Sequence, residues 1–154
     1  MTNTPAISIA DLNALIREGV PMIGNLGVEI LALAPGTIRL RLPCQDDFVR
    51  PGGTVTGPIL FALADVALYG AVLGLIGRVE LAVTTSMTIN FLRRPPMRAV
   101  LAEARVLKLG KRLAYGEILL FSEGDDQPVA HVTGTYSIPP HALVDVPPPG
   151  SFQG

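Results

Sequence analysis

The stretch TVTGPILFALADVALYGAVLGLI, residues 54–76, holds one charged side chain, Asp65, inside an otherwise apolar run. An ionised carboxylate there gives up hydration that apolar neighbours cannot replace, so it must be neutralised, paired or kept for chemistry. The run also decides the fold. Ile59 to Ile76 approaches the ~18 apolar residues that span a bilayer. Asp65 near its middle, Gly70 and Gly74, and strand-patterned flanks that need an apolar partner favour instead a soluble helix buried on nearly all sides. Thr56 can cap this helix, Pro58 falls in its permissive first turn, and its end is expected near Gly77.

Outward from the helix the period changes. Leu81 to Leu92 alternates, with Leu81, Val83, Met87, Ile89 and Phe91 on one face and Thr84, Ser86, Thr88 and Asn90 on the other, and is expected as a central strand. Ala99–Leu109, Arg112–Ser122 and Pro128–Ser137 follow as a meander of strands joined by GKR and EGDDQ turns. Before the helix, Val28–Ala34 and Thr37–Leu42 read as a hairpin across Pro35 and Gly36, with Ile38, Leu40 and Leu42 facing opposite to Thr37, Arg39 and Arg41. CQDDFVRPGGTV, residues 44–55, reads as a polar loop, and Ser8–Glu18 as a short helix capped by Ser8 and stopped by Gly19. The order is helix, two strands, long apolar helix, four strands. It fits one α+β domain over 1–138, an antiparallel sheet curved around a buried helix, with a proline-rich tail over 139–154.

Composition narrows the function classes. Hydrophobic residues make up 49% of the 154 and charged residues 16%, so some apolar surface is expected to disappear into an interface between copies. Twelve basic against thirteen acidic side chains give a net charge of -1, which supplies no broad footprint for nucleic acid or an anionic membrane. Cys44 is the only cysteine, so no intrachain disulfide forms, and MTNTPAISIADLNALIREG lacks a secretion leader; a reducing cytoplasm is the default expectation.

Three stretches carry a family resemblance: GGTVTGPILFALAD at the helix start, TTSMTINFLRRP in the following strand and VAHVTGTYSI in the last. In these the chain resembles the hotdog-fold acyl-CoA thioesterases, and more narrowly the phenylacetate-pathway type, from about Ile23 to Tyr136. The family usually has His-Gly-Gly at the helix start and an acidic residue nine positions after the histidine. Here Asp65 sits at that spacing, Thr56 replaces the histidine, Gly57 matches the first glycine and Pro58 replaces the second. An asparagine common a few residues upstream is matched by Arg50 or a neighbour. The resemblance implies hydrolysis of acyl-CoA thioesters without metal or redox cofactor, in a homodimer or homotetramer whose antiparallel central helices bring Gly57 of one subunit toward Asp65 of the other.

Part of this follows from physical chemistry alone. A helix N-terminus presents unpaired N–H groups and a partial positive charge to a thioester carbonyl that is becoming an oxyanion. Pro58 has no N–H, which leaves Gly57 as the strongest single donor. Asp65 lies about 12 Å along the axis and about 80° around from Gly57, so one substrate carbon needs two helices to meet both. A carboxylate in an apolar setting can serve as base toward water, or it can attack the thioester directly.

Further candidates are Thr56, Pro58, Phe61, Tyr69, Ser86 and Asn90 around the substrate, and Arg93 and Arg94 for the phosphates of coenzyme A. Leu68 and Val72 could also line an acyl pocket, and Arg98, Lys108, Lys111 and Arg112 are weaker phosphate candidates. His131 and His141 lack metal-ligand spacing and read as structural. Two other readings stand beside hydrolysis: a non-catalytic acyl-CoA binding or sensing protein, favoured by the residues at 56 and 58, and a hydratase or dehydratase, which would need a histidine paired with an acid.

Overall fold

The computed structural model describes residues 3–140. Helix α1 (Ile9–Gly19) starts where Ser8 Oγ accepts the Asp11 N–H at 3.0 Å, and it buries Leu12, Leu15 and Ile16. A one-turn helix α2 (Pro21–Gly24) follows, which the sequence pattern did not disclose. Strands β1 (Glu29–Ala34) and β2 (Thr37–Leu42) form the expected hairpin, with Gly36 at φ +80° in the turn and Ile38, Leu40 and Leu42 buried. The segment expected as plain loop carries a 3-10 turn (Asp46–Phe48) and a small ribbon of β3 (Val49–Arg50) with β4 (Thr54–Val55). Helix α3 (Gly57–Ile76) then gives way to β5 (Val83–Phe91), β6 (Val100–Leu109), β7 (Leu113–Ser122) and β8 (Pro128–Ser137).

The sheet is antiparallel and runs β1-β2-β6-β7-β8-β5, and α3 lies within its curve in the hotdog arrangement. Helix α3 is long and apolar enough to cross a membrane, yet most of it is buried inside this protein, so it is a core helix. Its close seating has a local cause. Gly116 and Gly134 are direct cross-strand partners, and a methyl group at either would collide with Leu68 of α3, itself fully buried. Two absent side chains make the dimple that admits Leu68, whose burial contributes about 1.5–3 kcal/mol.

Two expectations about the β5 region are corrected. The strand is not central: it pairs only with β8 and forms the sheet edge, because period-two alternation reports half-burial and carries no information on neighbours. Nor do its residues share faces as the alternation implied. The register steps from Thr84 opposite Tyr136 to Ser86 opposite Thr135, so Thr85 is a bulge. The extra residue turns Thr84 to the helix side with Met87 and Ile89, and leaves Val83, Ser86, Thr88 and Asn90 exposed. The tail from residue 141 onward, including His141, lies outside the described residues.

Candidate active site

Asp65 is the ninth residue of α3, half-buried, where the helix faces β5 and β8. Thr84 Oγ1 donates to its Oδ1 at 2.6 Å and the Tyr136 hydroxyl donates to the same oxygen at 2.7 Å. These two donors are themselves a cross-strand pair, and the bulge at Thr85 is what turns Thr84 inward to join Tyr136. Burial first, and then the charge of Asp65, push the Tyr136 phenol well above its ordinary value, so it stays protonated and donating. Its ring stacks on Tyr69 with centroids 5.9 Å apart, and the Tyr69 hydroxyl donates to the Glu80 carbonyl at 3.1 Å. A hollow of about 160 Å³ opens beside the carboxylate, walled by Ile23 of α2, Tyr69, Ala82 and Tyr136.

The N-terminus of α3 is a second station. The Ile59 and Leu60 N–H groups both approach the Thr56 carbonyl, at 3.2 and 3.4 Å, and Pro58 has no N–H. The Gly57 N–H finds no acceptor among the described residues, so the first turn offers one free donor. Thr56 holds the capping position by backbone, but its hydroxyl makes no capping bond, which corrects the expected side-chain cap. Phe91 closes over Gly57, its Cζ 3.2 Å from where a Cβ would stand. A hollow of about 320 Å³ runs from here between Arg50, Phe91, Arg93 and Arg94, with no acidic residue in its lining. It shares no lining residue with the hollow at Asp65.

Other expected residues fall elsewhere. Pro58 is exposed beside Gly57, and Phe61 is exposed and lines neither hollow. Leu68 and Val72 are fully buried core. Ser86 and Asn90 lie on the outer sheet face, away from Asp65, as the bulge and register require. Lys108, Lys111 and Arg112 sit at the β6–β7 turn, and Arg98 donates to the Glu123 carbonyl at 3.3 Å. His131 contacts Glu117 at 3.0 Å on the outer face, a structural pairing. A further hollow of about 680 Å³ is not at this chemistry: it lies over β1, β2, β6 and β7, where Arg39 pairs with Glu103 and Arg105 with Glu117. Tyr136, Phe91 and Arg50 are the site residues that sequence reasoning passed over or named only in passing. Tyr136 had a signal: Val132, Gly134 and Tyr136 alternate inward, and a buried phenol needs a partner.

A carboxylate held on one oxygen can activate water, a lone helix-end amide can polarise a carbonyl, and the arginine-rimmed hollow adds positive charge beside it. The chain belongs to the thioesterase superfamily, whose family model matches residues 52–129. It is similar to a crystal structure from Silicibacter sp. TM1040 assigned as a thioesterase, at 50% identity and TM-score 0.80, covering 90% of this chain and 96% of that one. A point variant of the phenylacetic acid degradation protein PaaI from Thermus thermophilus is 32% identical with TM-score 0.68, covering 77% of this chain and 98% of that one. A protein of Saccharolobus solfataricus assigned as an esterase is 29% identical over 134 residues, 87% of each chain. These likenesses support thioester hydrolysis as the activity.

Proposed function

We propose that the chain is a cytoplasmic acyl-CoA thioesterase whose catalytic unit is a dimer, alone or within a dimer of dimers. The observation that carries the reading is the division of labour along α3: one unbonded amide at Gly57 and, eight residues on, a carboxylate whose Oδ1 is held by two hydroxyls. The separation of about 12 Å along one helix calls for a second copy. The free edge of β5, with Val83, Phe91 and Leu92 exposed, offers the surface on which an antiparallel copy would pair.

In this reading the acyl carbonyl rests against the Gly57 N–H, between Thr56 and Pro58, and Asp65 of the partner subunit either takes a proton from the attacking water or attacks the carbonyl itself. The tetrahedral species expels coenzyme A as thiolate. Where Asp65 took the proton of water, that proton passes to the thiolate and the acid leaves; where Asp65 attacked, water then cleaves the mixed anhydride, giving the acid, its remaining proton and the free carboxylate. Arg50, Arg93 and Arg94 meet the phosphates, and Tyr69 walls the acyl side of Asp65. No cofactor beyond the coenzyme A of the substrate is required.

The test is thiol release from aromatic and aliphatic acyl-CoAs, with wild type beside Asp65→Asn and folding checked by circular dichroism. Hydrolysis by the wild type that disappears in the folded variant is the expected result. Tight binding of acyl-CoA with no turnover across the panel would put the binding-protein reading, which the residues at 56 and 58 favour, in its place. Among the described residues the hydratase reading finds no histidine beside Asp65: His131 is engaged with Glu117 on the opposite sheet face.

A further inference from the structure

We propose that Tyr136 is a positioning residue for Asp65: with Thr84 it holds Oδ1, so that Oδ2 alone is presented to the reacting centre. The inference rests on the hydrolase reading of Asp65 and deepens it. A hydroxyl has one proton to give, and the Tyr136 oxygen stands 2.7 Å from Oδ1 and 3.1 Å from the Asp65 backbone carbonyl. The shorter, charge-assisted bond takes the proton and the carbonyl contact is its weaker branch. The phenol therefore ties the carboxylate to the helix backbone from which it springs. Oδ2 accepts no hydrogen bond among the described residues.

Thr84 and Tyr136 differ in stiffness. The threonine hydroxyl turns about a single bond, whereas the phenol oxygen is fixed by its ring, and that ring is 4% exposed, stacked on Tyr69 and anchored mid-sheet between β5 and β7. With Oδ1 occupied, Oδ2 takes the proton of water as the water oxygen bonds to the acyl carbon. The C–S bond then breaks with its electron pair going to sulfur, and the proton on Oδ2 passes to that thiolate, which restores the carboxylate. A carboxylate free to swing would present either oxygen at varying angle, and misplacement by about 1 Å costs about 100-fold in rate.

The experiment pairs kinetics with a spectroscopic signature. On a thioester that the wild type hydrolyses, Tyr136→Phe is expected to lower kcat about 10- to 100-fold with KM within about threefold. Thr84→Val is expected to lower kcat less, and Thr84→Ser, which keeps the donor, to restore it. In proton NMR the Tyr136 hydroxyl should appear as a slowly exchanging downfield resonance, absent in Tyr136→Phe and moved upfield in Asp65→Asn. A folded Tyr136→Phe with wild-type kcat, or a hydroxyl proton indifferent to Asp65→Asn, overturns the positioning role while leaving hydrolysis by Asp65 standing. A wild type without turnover on any thioester overturns the hydrolase reading first, and this role with it.

Discussion

The two stations on α3 are made of different material. At Gly57 the working group is a backbone N–H that, at the first helical position, finds no acceptor among the described residues; it stands alone because Pro58 has no N–H and the next two amides turn to the Thr56 carbonyl. At Asp65 it is a side chain, held by hydroxyls from two strands, β5 and β8. A station made of backbone depends on what the side chains leave open, while a station made of side chains depends on what the sheet brings to it. Substitutions should therefore fail at the two stations for different reasons, and that difference can be measured.

The largest effect is expected at the side-chain station. Asp65→Asn keeps the shape and removes the charge, and kcat for thioester hydrolysis should fall by about 100- to 10,000-fold with the fold intact by circular dichroism. A folded Asp65→Asn enzyme within threefold of wild type would break the distinction at its stronger end. At the backbone station the informative pair is Gly57→Ala and Gly57→Pro. Both add a Cβ that meets the Phe91 ring at about 3.2 Å, a contact the ring can relieve by turning. Only proline deletes the N–H, at a first-turn position where its ring is tolerated. Steady-state assays should show Gly57→Pro losing about 100- to 1,000-fold in kcat and Gly57→Ala losing much less. Equal losses in the two variants would mean that space at Gly57 matters and its amide does not.

The same division explains what the sequence disclosed. Asp65 was conspicuous as the one charge in residues 54–76, and Pro58 pointed to Gly57 by subtraction. The element order was readable because a long apolar run in α3 gives way to a period of two in the strands. The supports of Asp65 were hidden for a definite reason. Tyr136 lies 71 residues from it, and the alternation puts Thr84 on one face with Ser86, Thr88 and Asn90 because a count of two cannot register the extra residue at Thr85. The edge position of β5 was equally out of reach, since alternation describes faces and not neighbours. Thr56 shows a smaller gap: its backbone starts the helix as its residue type suggests, but its hydroxyl takes no part.

A smaller effect should separate binding from chemistry. Arg50 and Arg94 form no ion pair among the described residues, and Arg93 reaches only Gln127 at 3.4 Å, so the hollow beside Gly57 keeps uncompensated positive charge. Arg94→Ala should raise KM for acyl-CoA about tenfold with kcat nearly unchanged, an effect that shrinks as salt is added. The same variant assayed on an acyl thioester of N-acetylcysteamine, which has no phosphates, should match wild type. A KM rise on both substrates would take the phosphates out of this hollow.

The smallest effect tests whether a held carboxylate is by itself a sign of function. Glu117, on the outer sheet face, is also engaged twice, by His131 at 3.0 Å and by Arg105 at 3.0 Å, and those partners, His131 foremost, hold its carboxyl below the usual range. Because its value in the folded protein lies below its unfolded value of about 4.3, its stabilising contribution is complete above that pH and disappears as pH falls through the folded value. Solvent at this face limits the contribution to about 0.2–1 kcal/mol. Thermal melts should therefore show Glu117→Gln below wild type at pH 6 and the gap closing toward pH 3, with kcat per folded molecule unchanged. Glu117 has donors on both oxygens and lines neither hollow of the candidate site, whereas among the described residues Asp65 keeps Oδ2 unclaimed beside one. If Glu117→Gln instead depresses kcat as Asp65→Asn is expected to, the free oxygen is not what separates a working carboxylate from a structural one in this fold.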